Sequence, residues 1–311
     1  MSERTILACE DCLPPAEAFS VVANESRLAI LDALWRAPET PVSFSELRRA
    51  VGMDDSAQFN YHLGKLTGQF VRKVEGGYEF RHAGEKVVRA ILEGSFTEDP
   101  RIESFAVDGT CVACGGDLRA RYADERLTVA CSACGTRHGH APFPPGGLND
   151  RTRAEVLAAF DQRVRHLHCL AADGVCPECG GRIETAFERD GDRLTGVVHE
   201  CRQCHHTIPS TVGLRLLDHS AVVAFHHDHG VELCATPFWH HAWCVDHDAV
   251  TVRSADPWEL AVSIRLDAEA LRVTLDGDLG VVETERGYGA LDGGERPAGA
   301  SGSPAGMSGE G

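Results

Sequence analysis

The sequence predicts an α+β chain of several domains, and three observations carry that reading. A helix-spaced apolar pattern over residues 15–70 gives way to two short β-rich runs around Gly76-Gly77. Four Cys-x2-Cys pairs come next in two sets, with a helical stretch between them. Beyond them, residues 249–285 alternate apolar and polar side chains as strands do. The predicted architecture is an N-terminal winged helix-turn-helix, two zinc-ribbon-like units joined by a helix, and a C-terminal antiparallel β-rich domain.

Residues 1–14 read as a flexible arm, and the Cys9-x2-Cys12 pair in it is half a metal site at most. Residues 15–98 read as a DNA-binding domain. A short helix over Pro15 to Val22 precedes one capped by Asn24, in which Leu28, Leu31, Leu34 and Trp35 form a stripe until Pro38 and Pro41 end it. Ser43 and Glu46 have capping-box spacing at the head of the next helix. Gly52 to Asp55 makes a turn, with Asp54 or Asp55 capping the helix after it. Phe59, Leu63, Leu66 and Phe70 then repeat at spacings of 4, 3 and 4, which predicts a helix over 56–70. Gln58, Asn60, Tyr61, His62 and Lys65 fall off that buried stripe. VRKVE and YEFRH flank Gly76-Gly77, a hairpin turn, so 71–82 forms a wing.

In such an arrangement the second helix enters the major groove. Gln58, Asn60 and His62 are the candidates for base edges, because Asn and Gln can pair bidentately with adenine. Ser56 joins the DNA-facing set at the start of the helix. Tyr61 and Lys65 suit phosphate or sugar, and Arg72, Lys73 and Arg81 of the wing suit the backbone or minor groove. The bland alternative packs Tyr61 and His62 within the domain. Alanine at Gln58 or Asn60 is expected to weaken one base position, and alanine at Lys73 all sequences alike.

AFSVVANESRLAILDAL, then FSELRRAVGMDDSAQFNYHLGKL and the glycine-tipped wing, resembles the ArsR-type winged-helix transcription regulators. The resemblance covers roughly residues 15–95, and it points to the archaeal, salt-adapted branch with a cysteine-containing C-terminal region. It implies DNA binding and repressor-like regulation. In winged-helix regulators a helix placed like residues 83–94 often packs on a partner protomer, so a homodimer on a pseudo-palindromic site is expected. Metal-sensing members carry cysteines in the helix that corresponds to Ser43–Val51. None stands there in this chain, so sensing through that helix is unsupported.

The first cysteine set, within residues 105–142, is Cys111, Cys114, Cys131 and Cys134; the second, within 172–208, is Cys176, Cys179, Cys201 and Cys204. CPECGGRIE echoes CVACGGDLR, which reads as a duplicated zinc ribbon. Each Cys-x2-Cys-Gly makes a tight knuckle with backbone N–H groups aimed at the sulfurs, and two knuckles complete a four-sulfur site. Two structural zinc ions are expected; iron or a metal-free remnant is the alternative. His199 and His205 flank the second set, but four sulfurs already fill a tetrahedron. A helix over 149–170 links the ribbons, with Val156, Leu157, Phe160, Val164 and Leu167 on one face and Cys169 as a buried thiol.

The C-terminal domain is expected over 209–286, and residues 287–311 read as a disordered tail. His226, His227, His229, His240, His241 and His247 crowd with Cys234 and Cys244 into one stretch. That stretch is either a metal or ligand site, or a core of Phe238, Trp239 and Trp243 with solvated histidines.

No GxSxG, Walker, HExxH or Rossmann pattern occurs, and a closed four-thiolate site has no open position, so an enzyme is not expected. Without a signal-peptide pattern or long apolar run, the expected location is cytoplasmic. The net charge is −17. Residues 16–96 hold 10 Lys+Arg against 11 Asp+Glu, so the remainder holds 20 against 36. Only Lys65, Lys73 and Lys86 are lysines, which fits a surface adapted to high salt as well as simple compositional bias. The expected function is sequence-specific DNA-binding regulation. The rival reading is a zinc-ribbon adaptor working through protein contacts in transcription, with a protein or small-ligand partner for the acidic C-terminal region.

Overall fold

The computed structural model describes residues 13–191 and 193–289. Cys9, Cys12 and most of the expected tail lie outside them. The chain divides into two compact units between His166 and Leu167. Among the described residues there are eight α-helices and four sheets, each an antiparallel meander. No described helix is long and apolar enough to cross a membrane.

The first unit opens with α1 (Pro15–Val22), α2 (Glu25–Trp35), α3 (Phe44–Val51) and α4 (Ser56–Leu66). Local chemistry fixes their ends. The Asn24 side chain accepts from the Arg27 amide at the head of α2. Ser43 and Glu46 form the reciprocal capping box of α3, and Gly52 ends it at φ +73°. Asp55 accepts from the amides of Ala57 and Gln58 to start α4. The hairpin β1 (Val71–Val74) and β2 (Gly77–Phe80) comes next, then α5 (His82–Leu92). Ile30, Leu31, Leu34, Leu47, Phe59, Leu63, Leu66, Phe70 and Val88 close one core.

Two details differ from the sequence expectation. Helix α4 stops at Leu66, short of Phe70, because the backbone turns through Gly68 at φ +101°; Phe70 still reaches the core. The hairpin turn is Glu75-Gly76, since Val74 pairs with Gly77. Gly77 serves another purpose. Tyr78 exchanges two backbone hydrogen bonds with Val42, the residue preceding the α3 cap, at 2.9 and 2.8 Å. A Cβ on Gly77 would lie 2.2 Å from the Val42 carbonyl oxygen. The hairpin is thus tied to the head of α3.

The sheet β3 (Ile102–Thr110), β4 (Asp117–Ala123), β5 (Arg126–Cys131), β6 (Arg137–Pro142) completes the first unit, with the start of α6 (Arg153–Ala172). The β4–β5 hairpin joins the two knuckles of the first set. The first strand of this sheet, Ile102–Thr110, begins ahead of residue 105, the expected start of the ribbon. Tyr122 is buried and donates to the Phe143 carbonyl at 2.8 Å, and Phe143 meets Phe160 of α6 edge-on at 6.1 Å.

The second unit holds the end of α6, the sheet β7 (Ile183–Asp190), β8 (Arg193–Cys201), β9 (Thr207–Ser210), then α7 (Ser220–Asp228) and α8 (Ala242–Val245). Cys169 near the end of α6 is half-buried rather than buried. A four-stranded sheet ends the described chain: β10 (Val250–Ala255), β11 (Trp258–Leu266), β12 (Glu269–Asp276), β13 (Val281–Tyr288). β13 runs past the expected start of the tail, and Arg286 on it pairs with both Glu269 and Asp228 at 2.6 Å.

Candidate metal centres and the polar helix face

Each ribbon brings its two knuckles together because β-pairing places the end of one hairpin arm beside the start of the other. Leu118 pairs with Cys131 in the first, and Ile183 with Cys201 in the second. The outcome is two four-cysteine clusters, Cys111/Cys114/Cys131/Cys134 and Cys176/Cys179/Cys201/Cys204, whose sulfurs all lie within 4.8 Å of one another. In each cluster two sulfurs are buried and two exposed.

The spacing fits a metal. Cys111–Cys134 and Cys176–Cys204 are 3.7 Å apart, Cys114–Cys131 and Cys179–Cys201 3.5 Å. A tetrahedron with metal–sulfur bonds of about 2.3 Å has edges of about 3.8 Å. Backbone amides serve the sulfurs as expected: Ala133 and Cys134 donate to Cys131, Gln203 to Cys201, and Gly181 to Cys179. Such donors favour the thiolate. The hydroxyl and backbone of Thr136 hold the Cys134 thiol down at about 6 and the Cys204 amide draws Cys201 to about 6, while the neighbouring cysteines push Cys114 and Cys204 up to about 12. The second glycine of each CxxCGG supplies room. A Cβ on Gly116 would lie 3.2 Å from the Cys131 sulfur, and one on Gly181 2.9 Å from the Cys201 sulfur.

The flanking histidines do other work. His199 is buried and shares a hydrogen with the Thr185 hydroxyl at 2.9 Å; burial pushes it down to about 4. His205 is exposed and lies 3.4 Å from Glu200. A histidine that sequence reasoning missed sits at the first centre: buried His138 places Nε2 3.1 Å from the Cys111 sulfur. Its only sequence signal is its position at the start of the strand leaving the second knuckle.

On α4, Ser56, Gln58, Asn60, Tyr61 and Lys65 are exposed, while Phe59, Leu63 and Leu66 are buried. Lys65 stands 5.7 Å from the Tyr61 ring. His62 is half-buried, with its Nδ1 inside the domain, and its ring meets Tyr61 edge-on at 5.3 Å. On the hairpin, Lys73 is exposed, but Arg72 is bound to Glu79 at 2.6 Å. Arg81 donates back to the Gly68 carbonyl. Those two guanidiniums are therefore engaged within the protein.

The histidine-rich stretch divides. Phe238, Trp239 and Trp243 are buried, and so are His226 and His241, whose rings lie 5.5 Å apart. His227 is exposed, and His229, His240 and His247 are half-buried. Among the described residues, the sulfur clusters are the two groupings with metal-ligand geometry; this stretch forms none.

Two family models match the chain. Residues 15–91, which span α1 to the last turn of α5, match the model described as Domain of unknown function (DUF7347). Residues 108–281, more than half of the chain, match the model described as Domain of unknown function (DUF7351). No curated protein and no solved structure matches. The DUF7351 match takes in both cysteine clusters and three of the four strands of the C-terminal sheet, and on its extent the chain belongs to that family.

Proposed function

We propose that the chain is a sequence-specific, repressor-like DNA-binding regulator of transcription, a homodimer, whose two cysteine clusters hold structural zinc. One observation carries the reading: α4 buries Phe59, Leu63 and Leu66 and turns Gln58, Asn60, Tyr61 and Lys65 to solvent, directly ahead of a hairpin anchored at the head of α3. Helix, turn, helix and wing in that order support a winged helix-turn-helix with α4 in the major groove. Gln58 and Asn60 read bases, His62 lies at the edge of that face, and Lys65 and Lys73 contact phosphate. Exposed Ile91 and Leu92 on α5, with Phe96 beyond it, support pairing of protomers. Closed four-sulfur sites suit folding rather than hydrolysis.

The test is selection of bound DNA from a random pool by the full chain, with metal analysis of the same preparation. Gln58→Ala or Asn60→Ala is expected to cost about 1–3 kcal/mol at one base position, and Lys73→Ala to weaken all sequences alike. If every variant binds every DNA as the parent does, the assigned face is wrong. The acidic remainder of the chain, 20 Lys+Arg against 36 Asp+Glu outside residues 16–96, favours a second reading. There the ribbons act as an adaptor through protein contacts, and the full chain selects no sequence even at low salt.

A further inference from the structure

The two cysteine centres match in their four-sulfur grouping and differ around it. At the first, His138 Nε2 stands 3.1 Å from the Cys111 sulfur, and the residue is only 6% exposed. A metal-bound thiolate can only accept, so the imidazole N–H donates. The equivalent place in the second ribbon, the second residue of the strand that leaves the knuckle, is Ile208, which is also buried and has nothing to donate. A second difference lies in the knuckle turn. The residue after Cys134 is Gly135 at φ +75°, whereas the residue after Cys204 is His205 at φ +57°. A side chain in that left-handed conformation costs about 1–2 kcal/mol. Exposure of the sulfurs does not differ: Cys114 and Cys134 are open in the first centre, Cys179 and Cys204 in the second.

We propose that His138 makes the first centre chemically inert and leaves the second as the thiol-reactive centre of the chain, the one that surrenders its metal to electrophiles. This rests on the reading that both clusters hold zinc. Four thiolates around one divalent ion leave a surplus of negative charge. A hydrogen bond to one sulfur draws on that surplus, so the metal holds the other three more firmly and each is a weaker nucleophile. The second centre lacks that donor and carries the strained turn. With iodoacetamide, a sulfur lone pair attacks the methylene carbon, an S–C bond forms, the C–I bond breaks, and iodide leaves with its electron pair. The neutral thioether is a poor ligand, and the zinc departs.

The experiment uses the full chain. Metal analysis first shows whether each cluster carries zinc. Limiting iodoacetamide is then added, released zinc is followed with a chromogenic chelator, and alkylated cysteines are mapped by peptide mass. The expected result is two phases, the fast one with label on Cys179 or Cys204. His138→Ile, which copies the second centre, should speed the slow phase by about 10–100-fold. Ile208→His should slow the fast one. A single phase, or first label on Cys114 or Cys134, overturns the proposal. So does a zinc-replete His138→Ile protein with an unchanged slow phase. Should His138→Ile fail to fold, the order of labelling in the parent chain still decides. A chain that takes up no zinc at all overturns the zinc reading and this inference together, whereas two zinc sites of equal reactivity overturn this inference alone.

Discussion

Replacing Gly77 by alanine should detach the hairpin from the head of α3. The added Cβ would stand 2.2 Å from the Val42 carbonyl oxygen and 2.5 Å from its carbon, and both are backbone atoms that no rotamer change can move. Relief requires breaking the Val42–Tyr78 bridge, which holds two hydrogen bonds. Each contributes about 1 kcal/mol net. Val42 and Tyr78, both now buried, would regain part of their exposure, at about 1 kcal/mol more. The total is about 3 kcal/mol. Gly76→Ala is the control: φ there is +89°, but the nearest atom to a new Cβ is the Pro41 Cγ at 3.5 Å, so only the backbone cost of about 1 kcal/mol applies. Amide exchange of the Val42 and Tyr78 segments, followed by mass spectrometry, reads the difference. About 3 kcal/mol corresponds to exchange faster by about 100-fold. If Gly77→Ala exchanges within about threefold of Gly76→Ala, the close approach is not what requires glycine.

Gly181→Ala leaves all four sulfurs of the second centre in the sequence but intrudes on two of them, at 2.9 Å from Cys201 and 3.0 Å from Cys179. Metal analysis of this variant should give zinc at the first centre alone; retention of both ions would contradict the geometry. Removing bound metal with a chelator should lower exchange protection in β4–β6 and strip it from β7–β9 while α2–α4 keep theirs, since the helical core contains no cysteine. Equal loss in both regions would refute separate folding. Burial pushes His226 downward, and His219 and His247 likewise. Unfolding raises their affinity for protons, so stability of the second unit is fullest above a pH of about 6.5 and falls as the pH drops below it. Thermal melts from neutral to mildly acid pH should show that fall, less steeply in His226→Phe; a rise would reverse the sign. On the proposed DNA-binding reading, Arg72 and Arg81 are engaged internally and the phosphate contacts are left to Lys65 and Lys73. A dimer should then show a slope of log affinity against log salt of about −4, and one steeper than about −6 would mean the arginines are released on DNA.

Local features were the legible ones in the sequence. Asn24, Ser43 with Glu46, and Asp55 cap their helices where spacing placed them, because a cap needs only a side chain and an amide two or three residues away. The cysteine clusters were legible for the same reason, each half being a four-residue turn. Long-range effects were hidden. The hairpin turn moved one residue because Val42 fixes the register of Tyr78 from outside the hairpin. Phe70 extended the apolar stripe without extending the helix, since the core takes it from a turn as well as from α4. His138 was invisible as a partner of Cys111 because it takes the pairing of β4 with β5 as well as of β5 with β6 to bring them together. The histidine-rich stretch could not be divided into core and surface because neighbours in sequence, His226 and His227, face opposite environments.

The two ribbons share a knuckle and differ in what rests on it. The first carries its own apolar layer: Phe105, Tyr122 and Phe143 are buried, Phe143 meets Phe160 of α6, and Arg153 lies 5.2 Å over Phe105. The second has one four-residue strand on one side, and beside the cluster of Cys176, Ile183 and Cys201 it buries Leu194, Val197 and Ile208. Its outer face meets the next segment of the chain: Phe187 packs at a tilt on Trp258 of β11 at 4.5 Å, Arg189 covers the same ring at 5.3 Å, and Arg193 pairs with Asp248, just ahead of β10, at 2.8 Å. Metal loss has different reach in the two cases. At the first centre, α6 and the apolar layer remain to hold β3–β6 in part. At the second, the hairpin arms that present Phe187 and Arg193 lose their closure, and the contacts with β11 and Asp248 go with them. If the second centre is also the more reactive one, the chemistry of a single sulfur can reorganise the C-terminal sheet. The duplicated site would then join a permanent fold support to a responsive one.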